Sequence, residues 1–212
     1  MSTREEVKGS HSVLRFEANK CIHSRSCVLD RPDVFVPNVQ GAWIHPDRAT
    51  PGELDALARN CPSGAITCEP LDGRKPETAP LVNVARLREN GPVALSAELT
   101  LDGQPAGLRA TLCRCGASAN KPYCDGSHGG AGFVASGEPA VITSQPLAAR
   151  NGPLSVTALP NGPLLLSGNL EICSGTGKTI NRVTKTALCR CGQSANKPYC
   201  DGTHTKVGFK TE

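Results

Sequence analysis

One sixteen-residue stretch occurs twice in this chain, as CRCGASANKPYCDGSH (Cys113–His128) and as CRCGQSANKPYCDGTH (Cys189–His204). Both copies place three cysteines and one histidine at the same offsets, C-x-C-x8-C-x3-H, and the copies start 76 residues apart. Packing alone rarely requires thiol and imidazole groups at fixed spacing, whereas a metal centre does. The stretch therefore predicts two equivalent metal centres within a repeated structural unit.

The composition favours small domains that a bound cofactor stabilises. Only 3% of the residues are aromatic, and 22 Gly and 17 Pro indicate many turns and thin cores. The eleven cysteines could instead form disulfides, but the opening MSTREEVKGSHSV has acidic residues and lacks the apolar run of a secretion signal. No stretch approaches the ~20 apolar residues of a membrane span. We therefore expect no membrane association and a reducing cytoplasm, where clustered thiols hold metal.

The charge pattern indicates protein partners. The formal net charge of +4 is compatible with acidic redox proteins, a reductase or an apo-acceptor, as partners. No run of Lys and Arg interleaved with aromatic residues predicts nucleic-acid binding. No spacing of Asp, Glu, Ser or His singles out a catalytic group, so we expect a protein that is not an enzyme.

The repeated motif is chemically suited to a pair of irons. The one-residue spacer of Cys113 and Cys115 puts both thiolates on one side of the backbone, close enough to bind one iron. With Asp125 as a helix N-cap, Cys124 and His128 are one helical turn apart and could bind a second iron. The first predicted ligand set is Cys113, Cys115, Cys124 and His128, and the second is Cys189, Cys191, Cys200 and His204.

Such ligands would hold a [2Fe–2S] cluster in each copy. One neutral histidine leaves the oxidised site at charge −1, against −2 for four cysteines, which eases reduction. We expect potentials between those of plant-type ferredoxins, about −400 mV, and of two-histidine centres, up to about +300 mV. Protonation of the histidine should weaken its iron bond. The alternative is a structural zinc site, for which C-x-C is an unusual spacing.

These residues resemble the CDGSH iron–sulfur family, whose motif C-x-C-x2-(S/T)-x3-P-x-C-D-G-(S/A/T)-H both copies satisfy. The resemblance covers residues 82–212. It implies a compact β-rich fold, the eight ligands named above, and supporting roles for four further residues, Ser118, Asp125, Ser194 and Asp201. Single-motif members resemble homodimers, so two motifs in one chain imply an internal pseudo-dimer and a monomer with pseudo-two-fold symmetry.

Turns and apolar runs define the limits of each repeat. Asn-Gly-Pro begins a predicted strand at residue 90 and again at 161, and a second strand, Leu108 to Leu112 or Val183 to Leu188, precedes each motif. The second copy has five extra residues near Ser174–Lys178, which resemble part of a phosphate-binding loop but lack its first glycine, so a hairpin turn is expected. Cys173 fits neither motif and is expected to be buried.

The N-terminal part carries a weaker signal. Cys21 and Cys27 precede Cys61-Pro62, which resembles the C-x2-C-x2-C with a remote C-P of bacterial ferredoxins, except that Ser24 replaces the middle cysteine. Between them, Thr50-Pro51-Gly-Glu53 predicts a capped helix. Over residues 13–68, including Trp43 and the CPSGA run, the chain resembles the divergent single-cluster ferredoxin family.

That resemblance implies a [3Fe–4S] or [4Fe–4S] cluster on Cys21, Cys27 and Cys61. The fourth iron of a [4Fe–4S] cluster could take His23, Cys68 or an exogenous ligand. The alternative is a ferredoxin-like domain that has lost its cluster.

The sequence thus predicts an α+β protein, with a ferredoxin-like domain at 11–70, a linker at 71–81, and β-rich cluster-binding repeats at 82–141 and 142–212. The predicted function is one-electron transfer through two [2Fe–2S] clusters and the N-terminal cluster. The alternative function is [2Fe–2S] storage or transfer, or redox or pH sensing, through the exchangeable histidine ligands.

Overall fold

A computed structural model describes residues 4–211 of the chain. The chain divides into two compact units, with the boundary between Thr78 and Ala79. Strands dominate and the helices are short, so the β-rich α+β class predicted from the sequence is confirmed. Among the described residues, no helix combines the length and apolar character needed to cross a membrane.

The N-terminal unit is a three-stranded antiparallel sheet with short helices. Its elements in chain order are β1 (Arg4–Lys8), β2 (Ser12–Glu17), a 3-10 turn (Ala18–Lys20), α1 (Ser26–Asp30), a second 3-10 turn (Pro46–Arg48), α2 (Pro51–Asn60) and β3 (Ile66–Pro70). The sheet order is β1-β2-β3. Strand β1 lies before residue 11, where the sequence placed the start of this unit, and the sequence did not predict it.

Helix α2 forms where the sequence predicted it. Thr50 and Glu53 form a complete capping box, with Pro51 at the first helical position. The apolar side chains Leu54, Leu57 and Ala58 are buried against the sheet. The helix ends at Asn60, so Cys61 follows directly and lies at a position that the helix fixes.

The C-terminal unit contains six strands, three from each repeat. They are β4 (Val84–Leu87), β5 (Val93–Leu101), β6 (Gln104–Leu112), β7 (Pro153–Ala158), β8 (Leu164–Cys173) and β9 (Thr179–Leu188). The two strands expected in each repeat, after Asn-Gly-Pro and before the motif, are present and are longer than predicted. The first strand of each repeat, β4 or β7, was not predicted.

The first strands join the two repeats in a reciprocal way. Strand β4 pairs antiparallel with β5 of its own repeat and parallel with β8 of the other. Strand β7 pairs antiparallel with β8 of its own repeat and parallel with β5 of the other. The inward side chains of both repeats form one shared apolar core, which includes Leu87, Leu95, Leu154 and Leu166.

The five extra residues of the second copy form the hairpin turn between β8 and β9 that the sequence predicted. The turn contacts the segment that follows the first motif, because Gly175 donates its N–H to the Gly137 carbonyl (2.8 Å) and Thr176 donates to Glu138 Oε1 (2.9 Å). Cys173, just before the turn, is buried as expected.

Candidate metal centres

Each motif forms a loop that folds back onto the strand before it. In the first copy, Cys113 donates its N–H to the Pro122 carbonyl (2.9 Å), and Cys124 donates to the Thr111 carbonyl (3.0 Å). The second copy repeats these bonds from Cys189 to Pro198 (2.8 Å) and from Cys200 to Ala187 (2.9 Å). Residues eleven positions apart in sequence are thereby brought to the same end of the sheet.

Within each loop the four predicted ligands form two close pairs. In the first loop, the sulfurs of Cys113 and Cys115 are 3.6 Å apart, and Cys124 Sγ is 3.5 Å from His128 Nδ1. In the second loop, the corresponding distances are 3.7 Å for the two cysteines and 3.4 Å from Cys200 Sγ to His204 Nδ1. The structure thus brings together the residues that the sequence paired.

These separations match the ligand spacing around a tetrahedral metal. Metal–sulfur bonds of about 2.3 Å and metal–nitrogen bonds of about 2.1 Å imply S···S and S···N separations of roughly 3.8 and 3.6 Å. Within residues 4–211, no three side chains of His, Cys, Asp or Glu converge closely enough to hold one ion together. Each loop thus holds its four predicted ligands as two pairs.

The two thiols of the first C-x-C pair hydrogen-bond to each other. The Cys115 thiol hydrogen-bonds to Cys113 and lowers the pKa of Cys113 to about 6, and the same contact raises the pKa of Cys115. The two sulfurs therefore share one proton. A bound cation would allow both to be thiolates. Backbone N–H groups already point at them, from Gly116 to Cys113 (3.3 Å) and from Ala117 to Cys115 (3.4 Å).

A serine and an aspartate hold each loop in shape. In the first loop, Ser118 Oγ donates to the Tyr123 carbonyl (2.7 Å), and Asp125 accepts N–H groups from Ala119 (2.8 Å) and Ser127 (3.0 Å). Burial opposes ionisation of Asp125, but the bonds from Ser127 and Ala119 prevail and lower its pKa to about 2. Ser194 and Asp201 make the same bonds in the second loop.

The helix expected after the third cysteine is only partly present. In the second loop a single turn, α3 (Thr203–Lys206), contains His204, but its N-cap is Gly202 and not Asp201. In the first loop the corresponding residues form turns without a helix. The prediction of an aspartate N-cap was wrong, although Asp201 Oδ1 accepts the N–H of Thr203 (3.0 Å), the first residue of that turn.

The arginine inside each C-x-C pair is buried, although nothing in the sequence distinguishes it from an ordinary surface charge. Arg114 and Arg190 are each 3% exposed. The lysine of each loop bonds to a backbone carbonyl group and not to the histidine. Lys121 Nζ donates to the Ser118 carbonyl (2.6 Å), and Lys197 Nζ donates to the Ser194 carbonyl (2.6 Å).

The two loops touch each other through their backbones. An isolated antiparallel bridge joins Cys115 to Cys191. A Cβ added at Gly116 would lie 2.8 Å from the Cys191 carbonyl oxygen, and one added at Gly192 would lie 2.5 Å from that of Cys115. Both glycines also have positive φ, so only glycine fits this crossing without strain. The Gly that follows each C-x-C is the feature of the sequence that could have indicated this close crossing.

The N-terminal cysteines line one cavity of about 420 Å³. Cys21, Cys27 and Cys61 share this cavity with apolar walls that include Phe16 and Trp43. Burial raises the pKa of Cys21 and Cys27, and the Cys61 thiol adds to both increases, which shows that the three sulfurs lie within electrostatic range of one another.

The candidates for a fourth ligand differ in position. His23 and Ser24 line the same cavity, and His23 adopts a left-handed backbone conformation with φ of 53°. Cys68 lies in β3, is paired with Leu14 and does not line the cavity. Burial raises its pKa to about 11. The structure therefore groups His23, and not Cys68, with the three cysteines.

Comparison with known proteins identifies both kinds of segment. Residues 89–129 and 161–205 match the family model described as iron-binding zinc finger CDGSH type. Residues 7–69 match the model described as divergent 4Fe-4S mono-cluster. No curated protein matches the chain significantly.

Proposed function

We propose that this iron–sulfur protein, which contains two CDGSH-type segments and one divergent 4Fe-4S mono-cluster segment, carries single electrons between protein partners. Two [2Fe–2S] clusters and an N-terminal [3Fe–4S] or [4Fe–4S] cluster would supply the one-electron chemistry when bound. The chain itself acts as a carrier and not as an enzyme, and we place it in the cytoplasm as a monomer.

The paired geometry of the two loops carries this proposal. In each loop the two cysteines of C-x-C would hold one iron, and a cysteine and a histidine would hold the other, since each pair already lies at the separations given above. Backbone N–H groups stabilise thiolate charge in both loops, as from Gly126 to Cys124 (3.4 Å) and from Gly202 to Cys200 (3.5 Å). Because these N–H groups are already directed at the sulfurs, the loops would rearrange little when a bound cluster changes charge, which favours electron transfer.

The domain arrangement supports two coupled centres in one unit. The reciprocal pairing of β4 and β7 is what an internal pseudo-dimer requires, and we propose that residues 82–141 and 142–212 form one. The contact between Cys115 and Cys191 joins the two cluster-binding loops directly. The two clusters would then be held by loops that contact each other, which favours electron exchange between them.

The N-terminal unit would hold the third cluster. Cys21, Cys27 and Cys61 are three thiols around one cavity, which suits a [3Fe–4S] cluster or three corners of a [4Fe–4S] cluster. His23 is then the candidate for the fourth corner. We propose that residues 11–70 form a divergent ferredoxin-like domain and that residues 71–81 link it to the repeats.

One observation favours cluster delivery as a second candidate function. His128 and His204 are partly exposed, whereas Cys113 and Cys189 are buried. An acceptor protein could therefore reach the histidine end of each loop first. Exchange of that ligand would release a [2Fe–2S] unit to an apo-protein.

The first test is iron and acid-labile sulfide analysis of protein purified without oxygen. We expect about seven or eight irons per chain, with electron-paramagnetic signals of more than one cluster type. Cys113→Ser should remove about two irons, and Cys173→Ser, which replaces a buried cysteine outside both motifs, should remove none. Stoichiometric zinc without sulfide would contradict the proposal.

The second test separates the two candidate functions. A carrier should be reduced and reoxidised over repeated cycles while its iron and sulfide stay bound. Mixing with an apo-ferredoxin should then leave the acceptor empty. Rapid movement of [2Fe–2S] to that acceptor, without added reductant, would instead establish cluster delivery.

A further inference from the structure

The arginine inside each C-x-C pair is buried and is hydrogen-bonded to neutral carbonyl groups. Arg114 donates from Nε to the Gly91 carbonyl (2.7 Å) and from Nη2 to the Arg88 carbonyl (2.5 Å). Arg190 makes the same two bonds in the second repeat, to Gly162 and Leu159. All four acceptors are neutral carbonyl oxygens, so both guanidinium groups keep a full positive charge inside the protein.

An aromatic ring covers each guanidinium. The Phe133 ring lies 5.8 Å from the Arg114 guanidinium carbon, and the Phe209 ring lies 5.7 Å from that of Arg190. Each phenylalanine follows a glycine a few residues after its motif, as Gly132-Phe133 and Gly208-Phe209. The rings stabilise the cations but do not neutralise them.

One amino group of Arg114 lacks a partner among the described residues. Its Nη1 is fully buried and makes no hydrogen bond there. Leaving a charged donor unsatisfied in the interior is costly, and such a group calls for a particular explanation. A negatively charged cluster near Arg114, present when the site is loaded, would explain why this donor is left without a partner.

The strongest attraction on each arginine comes from a cysteine of the opposite repeat. Burial lowers the pKa of Arg114 to about 10, and the strongest opposing influence is the Cys189 sulfur, followed by Glu89 of Arg114's own repeat. For Arg190, burial lowers the pKa and the strongest opposing influence is the Cys113 thiolate, followed by Asp102. The backbone crossing at Gly116 and Gly192 explains why each arginine is attracted by a cysteine of the other repeat, because the crossing places the two C-x-C segments against each other.

We propose that each arginine acts on the cluster of the opposite repeat. Arg114 sets the reduction potential of the second-repeat cluster, and Arg190 sets that of the first-repeat cluster. This inference rests on the proposed function, because it requires clusters in both loops. Reduction adds one electron to a site and makes it more negative, without forming or breaking a bond. A fixed buried cation stabilises that added charge and makes reduction easier.

The test requires the two clusters to be read separately. His128→Cys gives the first loop four thiolates, which makes its site more negative and lowers its potential away from that of the second. If the cluster of the first loop is lost instead, only the second remains to be read. In either case the second-repeat cluster can be followed by its own spectrum in an equilibrium redox titration.

In this background we expect Arg114→Gln to lower the ratio of reduced to oxidised second-repeat cluster about tenfold at a fixed potential. That ratio corresponds to a shift of about 59 mV for one electron. The reciprocal experiment uses His204→Cys with Arg190→Gln and should shift the first-repeat cluster. Lys185→Gln removes an exposed charge from β9 and should change either ratio less than about threefold, because water and salt screen it.

Arg114→Lys keeps a charge without the planar fork and provides the control if Arg114→Gln loses its fold or its cluster. It should stay within about threefold of the parent ratio. A tenfold shift in Arg114→Lys, an unchanged ratio in a loaded Arg114→Gln protein, or a shift confined to the arginine's own repeat would overturn the inference. Absence of iron and sulfide from the wild-type protein would instead refute the proposed function.

Discussion

At the scale of single residues, the feature that most constrains the two cluster-binding loops is the backbone crossing between them. Gly116 and Gly192 allow the carbonyl groups of Cys191 and Cys115 to approach to distances that any side chain would prevent. The same crossing carries each buried arginine towards the other loop. The Gly after each C-x-C therefore determines how closely the two candidate sites approach.

The first prediction compares two glycines with nearly the same backbone conformation. Gly192 has φ of 79°, and a Cβ added there would lie 2.5 Å from the Cys115 carbonyl oxygen. Gly103 has φ of 81°, and a Cβ added there would meet nothing within 4 Å. Alanine at either position costs about 1–2 kcal/mol for the left-handed conformation. Gly192→Ala should lose about 1–3 kcal/mol more, because the added methyl group crowds backbone that cannot move away.

Urea unfolding of the two variants, at equal iron content, measures the difference. Equal losses of unfolding free energy for Gly192→Ala and Gly103→Ala would mean that the loops do not press against each other. Gly192→Ala should also shift the visible spectrum of the clusters, and Gly103→Ala, in the hairpin turn between β5 and β6, should not.

Sequence reasoning succeeded at this scale where partners are close in the chain. The cysteine and histidine pairs follow from offsets of two and four residues, so spacing alone predicted them. The burial of Arg114 did not follow, because its carbonyl partners are 23 and 26 residues away, at Gly91 and Arg88. Only the folded β4–β5 turn brings those carbonyl groups to the loop.

At the scale of elements, one glutamate on β8 joins segments of both repeats. Glu171 on β8 is 2% exposed and accepts from Arg150 Nε (2.6 Å), just before β7, and from Thr179 Oγ1 (2.9 Å) on β9. Its own N–H donates to the Asn83 carbonyl (3.0 Å), just before β4. Glu171 therefore helps to fix β8 between its neighbours.

The second prediction concerns the pH dependence of stability. The Arg150 hydrogen bond, with help from Thr179, lowers the pKa of Glu171 below its ordinary value of 4.5. Its stabilisation is then fully present above about pH 4.5 and is lost as the pH falls through the lowered native pKa. Glu171→Gln should destabilise the protein by about 1–3 kcal/mol at neutral pH, since bonds to a charged group are weakened.

The difference in urea midpoint between the wild-type protein and Glu171→Gln is the quantity to measure. Taking this difference removes the contribution of cluster loss in acid, which both proteins share. This difference in urea midpoint should be constant at neutral pH and should decrease below about pH 4.5. A difference that stays constant down to pH 2 would mean that the Glu171 charge does not contribute.

The outcome for the helices shows how far local signals reach. Helix α2 was predicted because a capping box and three apolar residues lie within ten positions. The helix after Asp125 was not found in the first loop, where Gly129 and Gly130 follow His128, whereas Thr205 and Lys206 follow His204 in α3. Glycine is a poor helix former, and here that local difference outweighed the repeated motif.

At the scale of the whole molecule, the reciprocal pairing of β4 and β7 is the feature that sequence could not provide. Each is a short strand whose second partner belongs to the other repeat, in parallel pairs that carry no turn signal. The repeat itself predicted two similar halves but not which strands they exchange. By contrast, the composition change around residues 71–81 is local, and the division into compact units falls within that stretch.

Because the N-terminal unit is compact by itself, its cluster should be lost and retained independently of the other two. The third prediction uses two cysteines of that unit, Cys61, which lines the cavity, and Cys68, which does not. Cys61→Ser should remove about three or four irons and leave about four in the repeats, and Cys68→Ser should keep them all. Iron and sulfide analysis with electron-paramagnetic spectra measures both. Loss of iron in Cys68→Ser would identify Cys68 as a ligand, and full iron content in Cys61→Ser would show that the cavity does not hold the third cluster.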